Sequence, residues 1–158
     1  MEDKVFSEIM EGLNTYYRII TSYQNSPRKY GTDDLLYQTD VHVLQMIEEN
    51  PGANLNELAA KSYRTKSAMS VLIKSLVEKG LVKRKRDVDD NRQYIITLTE
   101  KGELIHKFHT KLDCENYTRI LSEMSNIEDI SLEDLKSTVK VLEALNKELH
   151  RIHHSRRV

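Results

Sequence analysis

Cysteine is almost missing from this chain: 158 residues contain one, Cys114, and there is no tryptophan. A single thiol excludes a disulfide framework and makes a reducing cytoplasm the expected compartment. Glycine and proline are scarce as well, at five and two, which suits a mainly helical soluble protein. No apolar run approaches the roughly 20 residues that a membrane span needs, and the opening MEDKVFSEIM lacks a signal peptide's apolar core. No glycine-rich phosphate loop, G-x-S-x-G elbow or H-E-x-x-H pair is present, so an enzyme is not expected. The net charge is −1, which excludes a nonspecific polycation. What remains is enough length for one ordinary domain with a real core.

The organising stretch is 54–99, NLNELAAKSYRTKSAMSVLIKSLVEKGLVKRKRDVDDNRQYIITLT. Asn54, with Glu57 three residues on, has the form of a capping box opening a short helix. Leu55, Leu58 and Ala59 are its core positions, and Ala59-Ala60 permit a close helix crossing. Ser62-Tyr63-Arg64 makes a turn and Thr65 caps the next helix. Ala68, Met69, Leu72, Ile73 and Leu76 form that helix's buried stripe, and Gly80 is its left-handed C-terminal cap. Leu81 to Arg86 and Tyr94 to Leu98 read as two strands around an acidic, Asn-containing turn. Helix, turn, helix, basic hairpin is the order of a winged helix-turn-helix, which lays one helix in the DNA major groove.

Charge supports that reading. Ten basic and four acidic residues fall between Lys61 and Arg92, a local excess of six inside a near-neutral chain, the electrostatic footprint of a DNA-facing surface. The candidate DNA contacts are Arg64, Thr65, Lys66, Ser67, Ser70 and Lys74 on the second helix and its cap, and Arg86, Asp90 and Arg92 on the hairpin. Short hydroxyls approach base edges, and lysine reaches a guanine or a phosphate. Arg92 fits a wing tip entering the minor groove, with Asp90 orienting it. The alternative is a winged-helix scaffold that binds protein, which has no need of a basic Lys66/Ser67/Ser70/Lys74 face.

Before this stretch, residues 4–24 place Val5, Phe6, Ile9, Met10, Leu13, Tyr16, Tyr17 and Ile20 at helical spacing, ending near Asn25-Ser26-Pro27. Residues 25–38 read as a polar connection with Gly31 and a small apolar patch, Leu35-Leu36-Tyr37. Thr39 is the expected cap of the following helix, with Val43, Leu44 and Ile47 inward and Pro51-Gly52 closing it. After it, 100–124 is a long helical pattern. Beyond a Ser131 cap, Leu132, Leu135, Val139, Leu142, Leu145, Leu149 and Ile152 recur at steps of three and four, a seam that wants a partner helix.

Leu58-Ala59, Met69-Ser70, Leu76, Lys79-Gly80-Leu81-Val82, Asp90-Asn91-Arg92 and Leu98-Thr99-Glu100-Lys101-Gly102, taken together, resemble the MarR family of bacterial transcription regulators. One departure is Tyr63, where many members have a small residue. The resemblance implies a single domain over 1–158, with dimerisation helices at 1–36 and 100–158 and a winged lobe at 37–99. It also implies a homodimer on a pseudopalindromic operator in double-stranded DNA, most simply a repressor relieved by a small-molecule effector.

For the effector, Tyr16, Tyr17 and Tyr37, with Tyr23, are candidate pocket walls, with His42 beside them. A zinc-responsive alternative uses His42, His106, His109 and Asp113, since residues at i, i+3 and i+4 share a helix face and His/carboxylate sets suit zinc. That pattern is similar to the family's zinc-sensing branch, although Gln24 stands where that branch has glutamate. A fatty-acid branch has similar histidines without a metal, so no metal or other cofactor is assigned here. Cys114 is not placed like the cysteine of the peroxide-sensing branch, and a lone helical cysteine reads as inert packing. His150, His153 and His154 read as part of a basic C-terminal end.

Overall fold

The computed structural model describes residues 2–86, 94–125 and 130–155. In chain order these form α1 (Glu2–Gln24), β1 (Arg28–Lys29), β2 (Leu35–Leu36), α2 (Gln38–Glu49), α3 (Leu55–Lys61), α4 (Lys66–Glu78), β3 (Val82–Arg86), β4 (Tyr94–Leu98), α5 (Glu100–Ser125) and α6 (Leu132–Ser155). The chain divides into two compact units, Met1–Leu112 and Asp113–Val158, with α5 running through the boundary. No described helix is long and apolar enough to cross a membrane.

The core of the first unit comes from α2, α3, α4, the β3–β4 hairpin and Ile105 of α5. Val43, Leu44 and Ile47 are buried as expected, joined by Val41. Leu58 and Ala59 are buried on α3, whereas Ala60 is exposed, so only one of the two alanines makes the crossing. On α4 the buried stripe is Met69, Ile73 and Leu76; Leu72 is half-buried and Ala68 faces solvent. Strands β3 and β4 pair antiparallel from Val82↔Leu98 to Arg86↔Tyr94. The Ile96 amide donates to the Ala53 carbonyl at 3.2 Å, which ties the approach to α3 onto the hairpin.

Two local expectations need correction. Residues 25–38 are more than a polar connection: they hold the β1–β2 pair and bury Tyr30 and Leu36 in the core. Gly31, at φ 74, allows this, because a Cβ there would stand 2.9 Å from the Phe108 ring on α5. Thr39 is not the cap of α2. The helix starts two residues earlier with Tyr37 at the N-cap, and the Asp40 carboxylate accepts from the Tyr37 amide at 3.2 Å. A buried carboxylate that satisfies a free helix-end amide outcompetes a hydroxyl two residues further in.

Ion pairs join segments far apart in sequence. Lys79, the C-cap of α4, reaches buried Asp40 on α2 at 2.8 Å. Lys101 of α5 reaches Asp34 at 2.9 Å and also donates to the Lys79 carbonyl. The Lys101 ammonium, then the Thr32 hydroxyl, hold the Asp34 carboxyl below its ordinary value. A depressed folded-state value means that this contribution is present above the unfolded carboxylate pKa of about 4 and is lost as pH falls through the folded value. Asp34→Asn is therefore expected to melt slightly below wild type at pH 7, with the two converging in acid. Thermal melts from pH 7 down to pH about 2.5 check it.

The helix α1 contributes no buried residue among those described, and its Val5, Phe6, Tyr16 and Tyr17 are exposed. In the second unit, the Ser131 hydroxyl accepts from the Asp134 amide at 3.2 Å and the Asp134 carboxylate accepts from the Ser131 amide, so Ser131 caps α6 as expected. The α6 seam stays open: Leu132, Val139, Leu142, Leu149 and Ile152 are exposed, and Leu135 and Leu145 are half-buried.

Candidate nucleic-acid interface

The candidate surface is built around α4, whose presentation is set at both ends. Asn54 accepts from the Asn56 and Glu57 amides while Glu57 accepts from the Asn54 amide, the capping box expected for α3. Thr65 then caps α4, its hydroxyl accepting from the Ala68 amide at 3.2 Å. At the far end, Gly80 takes φ 70, and the Lys79–Asp40 pair anchors the helix to α2.

With its buried stripe committed to the core, α4 turns the opposite face outward. Arg64, Thr65, Lys66, Ser67 and Lys74 are exposed and Ser70 is half-buried. Lys74 stands 3.9 Å from Glu78, both exposed, a pairing of about 0–1 kcal/mol at most that leaves the lysine available. Val71 belongs to this face too, at 69% exposure, and the sequence reading missed it. Its signal was its position, four residues after Ser67 and three before Lys74, and its branched methyls suit a thymine methyl.

Beside α4, Lys83, Arg84, Lys85 and Arg86 of β3 are all exposed, so the expected contact at Arg86 is one of a basic row. A β-strand alternates its faces, and near the hairpin base only Val82 of β3 turns into the core. Asp90 and Arg92 lie outside the described residues.

The effector candidates are dispersed. Tyr16, Tyr17 and Tyr23 are exposed along α1, and Tyr37 is exposed at the α2 N-cap. Tyr30, absent from the expectation, is instead the buried tyrosine, at 2% exposure. Its ring meets His109 edge-on, with centroids 5.6 Å apart. His109 is buried, and its ring lies 5.3 Å from that of His42. The Gln38 amide nitrogen is 3.4 Å from His42 Nε2. Of the metal candidates, then, His42 and His109 come together. Asp113 follows His109 by one turn of α5 and is half-buried, with the Tyr117 hydroxyl donating to it at 3.5 Å. His106, one turn before His109, is half-buried, its Nδ1 enclosed without a hydrogen-bond partner among the described residues. Cys114 is exposed rather than packed.

Comparison with known proteins agrees with this geometry. Residues 36–94 match the model of the MarR family. The HTH-type transcriptional regulator SarZ of Staphylococcus haemolyticus is 33% identical over 88 residues, 56% of this chain and 57% of SarZ. The chain spans about half the length of the curated relatives it matches. Among solved structures, FabT of Streptococcus pneumoniae in complex with DNA superposes with a TM-score of 0.72 at 21% identity, covering 93% of this chain and 99% of FabT. The zinc-responsive ZitR of Lactococcus lactis superposes with a TM-score of 0.65 at 19% identity, covering 92% of this chain and 99% of ZitR. At those identities the likeness is one of fold. The match to the MarR family model lies on the helices and hairpin that carry the basic surface, residues 36–94, and the chain has the winged helix-turn-helix fold of these solved structures.

Proposed function

We propose that the chain is a sequence-specific regulator of transcription that binds double-stranded DNA as a homodimer, a repressor released by a small-molecule effector. The observation that carries this is the outward face of α4, where Lys66, Ser67, Ser70, Val71 and Lys74 stand clear of the core between two caps and beside the basic β3. The face has the mixture that major-groove readout uses: cations for phosphate or guanine, hydroxyls for base edges, and a methyl surface for thymine. FabT, which shares the fold, was solved with DNA. The uncovered apolar faces of α1 and α6 support the dimer, since a second copy would bury them.

The test is selection of a duplex from a randomised pool by the wild-type protein, followed by titration of variants on that duplex and on random DNA. Ser67→Ala is expected to lose about five- to tenfold on the selected duplex and little on random DNA. Lys66→Ala should lower the salt slope by about one unit. Failure to enrich any duplex would favour the protein-binding winged helix.

A zinc-responsive regulator is the second reading, favoured by the His42–His109 contact. Imidazoles are donors that zinc accepts. Zinc at one per chain, lost in His42→Ala and His109→Ala and coupled to DNA affinity, would establish it. A protein that binds no zinc and ignores a chelator would leave the organic effector.

A further inference from the structure

Two helices of the first unit end in the same backbone motif. After α4, the Gly80 amide donates to the Val77 carbonyl and the Leu81 amide to the Leu76 carbonyl, both at 2.9 Å, around Gly80 at φ 70. After α3, the Tyr63 amide donates to the Ala60 carbonyl at 3.2 Å and the Arg64 amide to the Ala59 carbonyl at 3.0 Å, around Tyr63 at φ 53. This nested pair of bonds is a Schellman cap, whose left-handed residue is usually glycine because a Cβ crowds the backbone there. Tyr63 is the one described non-glycine residue at positive φ.

The chain thus uses glycine in one such cap and an aromatic in the other. Nor is the strain offset by burial. Tyr63 is 76% exposed, more than any other large apolar or aromatic side chain described. It stands immediately before Arg64, the Thr65 cap and Lys66, at the leading edge of the α4 surface. A bulky side chain kept in a sparsely populated backbone conformation, and turned to solvent beside a binding face, points to use in binding.

We propose that Tyr63 is a DNA-backbone contact, its phenolic hydroxyl donating to a phosphate oxygen beside the groove that α4 enters; this rests on the DNA-binding reading above. Tyrosine is among the side chains that anchor proteins to phosphates, and with two side-chain torsions it is ordered at low entropic cost. The contact is neutral, so it releases no counterion and leaves the salt dependence alone.

Tyr63→Phe and Tyr63→Gly in the full chain, titrated on the selected duplex and on random DNA and melted alongside wild type, test this. Tyr63→Gly is expected to raise the Tm by about 1–4 °C while weakening both duplexes by roughly three- to tenfold. Tyr63→Phe should show most of that loss, with an unchanged salt slope. Wild-type affinity of Tyr63→Gly on both duplexes would overturn the contact. A lowered Tm would overturn it too, by assigning the ring to packing. A loss confined to the selected duplex would replace the phosphate contact with base readout. A wild type that enriches no duplex fails earlier, on the DNA-binding reading itself.

Discussion

Gly102→Ala is expected to destabilise the protein by about 3 kcal/mol or more, against the sign that helix propensity alone predicts. Alanine in a helix interior is ordinarily favoured over glycine by about 1 kcal/mol. Gly102, however, lies in the first turn of α5 against the start of the hairpin, where an added Cβ would stand 2.1 Å from the Leu81 carbonyl oxygen and 3.1 Å from its carbon. The obstacle is backbone, which no rotamer change relieves. That same carbonyl accepts from the Thr99 amide at 3.0 Å, while the Thr99 hydroxyl donates to the Gly80 carbonyl and accepts from the Gly102 amide. Moving α5 outward therefore breaks hydrogen bonds of about 0.5–1.5 kcal/mol each, on top of overpacking costs of about 1–3 kcal/mol. The Tm should fall by roughly 10 °C, as a thermal melt would read. A variant as stable as wild type would mean that α5 does not approach the hairpin this closely.

The second large effect is expected at the open seam of α6. Leu142 and Leu149 are exposed on the same helix face, and full burial of one leucine contributes about 1.5–3 kcal/mol. In a two-fold dimer each substitution counts twice. Leu142→Glu with Leu149→Glu should convert the proposed homodimer into a monomer in analytical ultracentrifugation, with the chain still helical by circular dichroism. Affinity for the selected duplex should fall a hundredfold or more, because two linked half-site contacts become one. A double variant that remains a dimer with wild-type affinity would place the interface elsewhere.

Short-range chemistry was legible in the sequence. Asn54 with Glu57, Thr65, Gly80 and Ser131 cap the elements they were expected to cap, because a cap is made between residues two to four apart. Helical spacing separated the buried stripe of α4 from its polar face, and strand alternation brought Ile96 and Leu98 inward. The basic excess between Lys61 and Arg92 marked the surface around α4.

Other features depended on parts of the chain that meet only on folding. Lys79 and Asp40 are separated by 39 residues, and Lys101 and Asp34 by 67; a lysine and an aspartate that far apart carry no local sign of pairing. Tyr30 sits in a segment that reads as polar, and it is buried because α5 supplies His109 against its ring. Tyr63 stands out in the sequence only as a bulky residue in a turn, and its left-handed backbone becomes visible only when the two amides that close α3 are located. Sequence by itself determined which segments form helices and strands, where they are capped and which surface is basic, since those follow from neighbours within about one or two turns. Tertiary structure decided which polar groups are paired and which glycine is required. Those depend on close approach between elements, which chain connectivity constrains only weakly and packing specifies to within a few tenths of an ångström.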